Sequence, residues 1–381
     1  MEMSETEPNP LCESPGEVIR KALQERGWTQ ADLARILDRP LPTVNEIIVG
    51  KRAIMPEMAM SLAAAFGDTP ERWMNLEATY RLSLAKRNDA DAVARRVRLF
   101  DLAPVKEMER RGWIKPTKDA DELERELCGF FETDITKNEP AISVVTRRYA
   151  GLLMLTPAQR AWCFRVRQLA RTVHAEKFKP ELLVQCEERL RSLAAFPEET
   201  AKVPTVLAGF GIRFVVVEPL SSSRIDGAAF WLADDAPVIG MSVRFDRIDS
   251  FWFTLFHEFK HIENGDLMSV DSDLVGESAM LAEAKDDIER RADAQAAAAL
   301  LPPDKLESFI VRVGPLYSKQ RINQFANRMR IHPGIILGQL HHRGEVDWRA
   351  NREMLAKVRD TVTQVALTDG WGKSIAADLR A

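Results

Sequence analysis

Apolar positions in this chain recur at helical spacing almost throughout and switch to strand spacing in one stretch, between Val203 and Ser242. From Val18 to Tyr80 they fall into short amphipathic runs separated by stop signals. The run Val18-Ile19-Arg20-Lys21-Ala22-Leu23 ends near Gly27, and Thr29 with Asp32 three residues on reads as the cap of the next run, Gln30 to Leu37. Further helices are expected from Pro42 to Val49, stopped by Gly50, from Pro56 to Gly67, and from Thr69-Pro70 onward. Residues 14–80 are therefore expected to form a compact module of five helices, preceded by a loose acidic tail over residues 1–13.

Residues 81–149 read as a helical linker, and helical periodicity continues to about residue 200 with breaks at Pro140, Pro157 and Pro180. The period then changes. Residues 212–217, 228–232 and 237–241 are short strand-like runs, and Ala233-Asp234-Asp235-Ala236 reads as the turn between the last two. Helix resumes at Ile248 and is stopped by Asn264-Gly265. The fold class this predicts is mainly α with a small β-sheet (α+β). Its second domain spans residues 150–345, and residues 346–381 follow as a C-terminal helical extension.

Composition narrows the classes. At 381 residues, 45% hydrophobic and 29% charged, the chain can build two or three cores. Its apolar runs are too short for a membrane span and its first thirty residues lack a basic start followed by an apolar core, so a cytoplasmic protein without a membrane partner is expected. Cys12, Cys128, Cys163 and Cys186 are scattered, as reduced thiols would be. A net charge of −4 argues against nonspecific nucleic-acid binding, so any DNA contact must be local. Residues 1–80 carry 8 basic and 13 acidic side chains, whereas residues 81–200 carry 23 and 19; the contrast places a boundary near Tyr80.

The chemistry is concentrated in Phe256-His257-Glu258-Phe259-Lys260-His261, an H-E-x-x-H element inside an apolar helical stretch. The spacing puts both imidazoles on one helix face as two ligands of a zinc ion, with Glu258 beside them as general base for hydrolysis of an amide bond. A catalytic zinc keeps three protein ligands. Metzincin spacing is excluded, because Asn264 and Leu267 stand where it needs glycine and histidine or aspartate. Glu289, with Asp293 one turn on to hold a ligating histidine from behind, fits as the third ligand. Glu277, Glu283, Asp286, Asp287, His341 and His342 compete with it. His332, His341, His342 and Tyr317 lie downstream as candidates to stabilise an oxyanion, each with a packing role as the alternative.

The run from Pro237 through Arg244-Phe245-Asp246-Arg247 to His261, with Glu289-Arg290-Arg291-Ala292-Asp293 and Leu300-Leu301-Pro302, resembles the ImmA/IrrE family of zinc metallopeptidases. That resemblance implies a zincin-like fold over about residues 150–345, Glu289 as the third ligand, and cleavage of repressor proteins; Gln295 departs from it at a usually aromatic place. Residues 15–59, including Trp28-Thr29-Gln30-Ala31-Asp32-Leu33-Ala34 and Thr43-Val44-Asn45-Glu46-Ile47-Ile48-Val49-Gly50, resemble the Xre-type helix-turn-helix of HigA-like antitoxins, and the match continues to Glu77. It implies operator binding as a homodimer and pairing with a toxin. The recognition helix would start at Pro42, with Thr43, Asn45 and Glu46 on base edges and Lys51, Arg52, Arg35 and Arg39 on phosphates. Together these lead to a DNA-binding regulator carrying a zinc endopeptidase that cleaves a protein partner or repressor, or the regulator itself, with a cognate toxin as a further candidate partner. The alternative is a regulator whose peptidase fold serves as a sensor or binding scaffold. The same ligand set also accepts manganese, iron or cobalt.

Overall fold

The computed structural model of the chain describes residues 13–84, 87–138, 140, 155–266, 268–272 and 287–372. They divide into two compact units, one ending at Arg95 and the other beginning at Arg96.

The first unit is built from α1 (Pro15–Arg26), α2 (Gln30–Ile36), α3 (Leu41–Ile48), α4 (Pro56–Phe66) and α5 (Pro70–Leu84). Local chemistry sets their ends. Ser14 and Glu17 cap each other across the start of α1, Thr29 and Asp32 do the same for α2, and Gly27 and Gly67 take the left-handed conformation that closes α1 and α4. Ile19, Leu33, Val44, Ile47, Ile48, Leu62, Phe66 and Trp73 make the shared core. α1 approaches the end of α3 so closely that a methyl at Gly16 would lie 2.0 Å from the Ile48 carbonyl oxygen, and Arg20 donates to that oxygen at 2.9 Å. The C-terminus of α3 is thereby held by two contacts from one neighbour.

α6 (Arg87–Leu102) follows in the chain. The second unit continues with α7 (Val105–Arg110), α8 (Ala120–Phe131), α9 (Pro157–Ala170), α10 (Leu183–Leu193) and α11 (Val203–Gly209). Next come β1 (Arg213–Val216), β2 (Ile225–Trp231), β3 (Pro237–Met241), α12 (Ile248–Asn264), β4 (Met268–Ser272) and α13 (Asp287–Leu300). It ends with α14 (Pro303–Val313), α15 (Lys319–Met329), α16 (Pro333–His342), α17 (Arg359–Thr363) and β5 (Leu367–Thr368). The sheet order is β4-β2-β3-β1-β5, with β1 parallel to β3 and β5 and β2 antiparallel to β3 and β4. Strand alternation sorts its side chains into two cores. Phe214, Val216, Ala229, Ile239 and Met241 face α10 to α17, while Val215, Val217, Ala228, Phe230 and Val238 face α7, α8 and α9. The molecule is mainly helical with a small mixed sheet, as the apolar pattern predicts, and among the described residues no helix is long and apolar enough to cross a membrane.

Two expectations are corrected. The segment read as a linker over residues 81–149 divides at Arg95 and Arg96, and its described part from Arg96 on belongs to the second unit. Val105, Met108, Leu123 and Leu127 pack with Trp162, Phe164 and the sheet, and burial of those side chains draws α7 and α8 into its core. The stretch after residue 346 is not a helical extension: its described part holds the short α17 and places β5 beside β1, with Leu355, Val358 and Val362 in the core. The C-terminal end of the described chain thus completes the sheet.

Candidate functional site

α12 carries the centre because its sequence leaves it nowhere else to go. Phe251, Trp252, Phe256 and Phe259 are each no more than 1% exposed, and truncating a buried aromatic costs about 3–5 kcal/mol. Helix position is therefore set by packing. His257, Glu258 and His261, all 0% exposed, are carried into the interior by that anchor. Unpaired buried polar groups would be costly, so their partners matter.

His257 and His261 point their Nε2 atoms at each other, 2.9 Å apart. Glu289 on α13 closes the triangle, with Oε2 3.2 Å from His257 Nε2 and Oε1 3.6 Å from His261 Nε2. The outer ring nitrogens face carboxylates: His257 Nδ1 lies 3.0 Å from Asp293 Oδ1, and His261 Nδ1 lies 2.9 Å from Asp266 Oδ2. The hydrogen bond to Asp266 favours a proton on His261 Nδ1, and the Asp293 charge beside His257 Nδ1 favours one there, which leaves two Nε2 lone pairs and an anionic oxygen converging on one point. Such a set asks for a cation. Ligands at the tetrahedral corners of a zinc ion stand about 3.3 Å apart, and the three separations here bracket that value. His257, His261 and Glu289 are also the group of described residues whose donor atoms lie within 4.8 Å of one another.

Asp266 was invisible to spacing arguments, and the helix end explains it. Gly265 is left-handed, and the turn it makes lets the Asp266 N–H donate to the His261 carbonyl at 2.9 Å, folding the aspartate back under its own histidine. Arg291 holds that carboxylate at 3.0 and 3.2 Å, and the Trp231 indole N–H donates to the Asp266 carbonyl at 3.0 Å. A glycine stop directly after the second histidine, followed by an acid, is the signal that could have revealed it. Ser269 on β4 adds a hydroxyl 3.2 Å from Glu289 Oε1.

Glu258 points towards β2. A methyl at Gly227 would fall 2.3 Å from Glu258 Oε1, so this strand position has to be glycine for the carboxylate to keep its place. Behind it, the buried Cys163 thiol is pushed well above its ordinary pKa by desolvation and by the charge of Glu258, which keeps it protonated and inert.

The competing candidates among the described residues are placed elsewhere. Asp287 is an exposed partner of Arg290, and Glu277, Glu283 and Asp286 lie outside the described residues. His332 caps α16 by accepting the Gly334 N–H at 3.0 Å, His341 is buried against the Ala350 carbonyl at 3.2 Å, and the Tyr317 hydroxyl donates to Glu345 at 2.5 Å. All three serve packing. Gln295 accepts from Asn264 at 2.8 Å, so its departure from an aromatic residue ties α13 to the end of α12.

In the first unit, α3 exposes Asn45 and Glu46 and half-buries Thr43, while Val44, Ile47 and Ile48 face the core. Lys51 and Arg52 are exposed just beyond the helix, as are Arg35 and Arg39 on or beside α2. Glu46 has a partner within the molecule: its Oε2 is 3.3 Å from Arg52 Nη1. Both side chains are about half exposed, so the pair is weak and easily exchanged for another contact.

A helix-turn-helix family profile matches residues 19–74. An uncharacterized HTH-type transcriptional regulator, YddM, of Escherichia coli (strain K12) is 32% identical over 73 residues, covering 19% of this chain and 78% of that protein. Virulence-associated protein A' of Dichelobacter nodosus is 39% identical over 80 residues, covering 21% of this chain and 70% of that protein. Among solved structures, PA4674 of Pseudomonas aeruginosa in complex with its operator DNA is 39% identical and covers 19% of this chain and 81% of that one, with a TM-score of 0.19. The Pseudomonas aeruginosa antitoxin HigA with the higBA promoter is 34% identical over 23% of this chain and 91% of that one, with a TM-score of 0.21.

Proposed function

Through residues 19–74 the chain belongs to the helix-turn-helix family, and from that premise we propose that it is a DNA-binding regulator of the antitoxin or repressor type whose second unit is a zinc-dependent endopeptidase of ImmA/IrrE type. The observation that carries the peptidase half is the convergence of His257, His261 and Glu289, with a carboxylate behind each imidazole. When bound, the zinc ion supplies Lewis acidity, acidifying water and polarising a substrate carbonyl. Asp266 and Asp293 hold the imidazoles in the tautomer that turns Nε2 inward. Glu258 receives the proton from the attacking water at its carboxylate and returns it to the leaving amine. The aromatic packing of α12 fixes the positions of these groups while the reaction proceeds.

The regulator half rests on the family and on α3. Asn45 and Glu46 offer amide and carboxylate groups suited to adenine and cytosine edges, and the exposed Lys51, Arg52, Arg35 and Arg39 are the cations assigned to phosphates. With so few cations per chain, a homodimer on two half-sites is the form that supplies enough affinity. The substrate of the peptidase is a protein partner or repressor, or the regulator itself, and a cognate toxin is a partner of the regulator half. Substituting Glu258→Gln tests the union of the halves in cells, because it keeps the metal ligands and removes the base. The expected result is intact DNA binding with loss of partner cleavage and an altered response of the target promoter. An unchanged promoter response and unchanged partner levels would overturn the proposal.

A further inference from the structure

Beside the metal centre lies a cleft of about 380 Å³ whose lining includes Phe253, Leu300, Ile335, Trp348, Arg290 and Arg343. Its size is that of a small-molecule site. Its floor is apolar, from Phe253 on α12 through Ala297 and Leu300 on α13 to Ile335 on α16. Its cations are differently placed. Arg247 is committed to Asp249, with Nε 3.1 Å from Oδ1 and the guanidinium 5.8 Å from the Trp348 ring, so that pair is neutral overall. A side chain at Gly338 would collide with Asp249 at 2.6 Å, and this glycine is what lets α16 close over the pair.

Arg290 and Arg343 are the remaining guanidinium groups of the lining, and their acidic partners Asp287 and Glu307 are 93% and 58% exposed. Exposed ion pairs contribute little, so these two pairs do little to fix the arginines, and both guanidinium groups line the cleft. Among the described residues of the lining, the acid other than Asp249 is Asp293, whose Oδ1 lies 3.0 Å from His257 Nδ1. Nδ1 and Nε2 are on opposite edges of the imidazole. Among the described residues, the lining holds Asp293 and none of His257, His261 and Glu289.

We propose that this cleft is a binding site for a small organic anion with an aromatic or branched apolar body, its charge held by Arg290 and Arg343 and its body by Phe253, Leu300, Ile335 and Trp348. The site is independent of whether the metal centre hydrolyses anything. Occupancy would be felt at Asp293, which the cleft shares with His257.

The test is a fluorescence titration of the folded full chain with anilinonaphthalene sulfonate, an anion with an aromatic body. The expected result is one saturable site, weakened about tenfold or more in the R290Q/R343Q double variant, since a hydrogen bond to a charged group contributes about 1.5–3 kcal/mol. Ala294→Trp, at an exposed position of the mouth, should abolish binding by filling the cleft. N-phenylnaphthylamine, which keeps the body and lacks the anion, should bind about tenfold more weakly. Thermal melts confirm that each variant is folded; if the double variant is not, Ala294→Trp and the neutral probe decide the matter. Absence of a saturable site, binding undiminished by Ala294→Trp, or equal affinity for the neutral probe would each overturn the proposal.

Discussion

Replacing Asp266 by asparagine changes one atom type behind one proposed metal ligand, and the geometry says what it should cost. Oδ2 serves both His261 Nδ1 at 2.9 Å and Arg291 Nη2 at 3.2 Å, whereas Oδ1 serves Arg291 alone at 3.0 Å. An asparagine can put its oxygen towards the histidine, but its amide then faces the Arg291 guanidinium with donors against donors. Turned over, it satisfies Arg291 and presents N–H groups to Nδ1, which drives the proton to Nε2 and removes the lone pair a metal needs. Either orientation loses a contact at a histidine that is 0% exposed. Outer partners of this kind are worth about 10–100-fold in metal affinity, or about 1.4–2.8 kcal/mol. Zinc affinity of the full chain, read by competition with a chromophoric chelator, should fall within that range for Asp266→Asn. Arg291→Gln, whose side chain is 46% exposed, should change affinity by less than about threefold. Unchanged zinc affinity in Asp266→Asn would refute the tautomer argument.

Three other outcomes follow from the same structure. Gly227→Ala should destabilise the metal-loaded chain by about 1–3 kcal/mol in urea unfolding, because its methyl overlaps Glu258, and combining it with Glu258→Ala should recover most of that loss; strictly additive effects would deny the contact. In DNA-binding titrations, Lys51→Ala should lower the slope of log K against log salt by about 0.9 per chain, whereas Asn45→Ala should weaken preference for the operator and leave the slope alone; a slope that Lys51→Ala leaves intact would remove that residue from the phosphate contacts. Burial holds His332 and His341 below the ordinary histidine pKa, so they are neutral when folded and more readily protonated when unfolded. Their contribution is present above the unfolded value of about 6.5 and is lost as pH falls through it towards the folded values. The urea midpoint should therefore drop between neutral pH and pH of about 5.5, and His332→Asn, which can still cap α16, should drop less; a midpoint that rises over that interval would contradict the assignment.

Where the sequence could be read, the reason was periodicity tied to a hard stop. The core face of α12 announces itself through Phe251, Leu255, Phe259 and Ile262, and Gly265 ends the helix where a left-handed residue is required. The β2–β3 hairpin is legible for a similar reason, since Ala233-Asp234-Asp235-Ala236 separates two apolar runs, and the Leu232 N–H donates to the Ala236 carbonyl at 2.9 Å across it. What escaped depends on partners distant in the chain. β5 is only Leu367–Thr368, too short to carry a period, and exists because β1 offers it an edge. The charge contrast near Tyr80 reports surface composition. The boundary at Arg95 and Arg96 depends instead on which core Leu99, Val105 and Met108 enter, and helical periodicity cannot name the partner of a helix. Gly227 and Asp266 were missed for the same reason, because their roles lie across the sheet and around a helix cap.

The most direct test is elemental analysis of the full chain after zinc loading and desalting. The account predicts one zinc per chain for the unmodified protein and for Glu258→Gln, which leaves the ligands intact, and near loss of the metal from His261→Ala and Glu289→Gln. A chain that retains no zinc, or one whose zinc content is the same with and without His261 and Glu289, would contradict it.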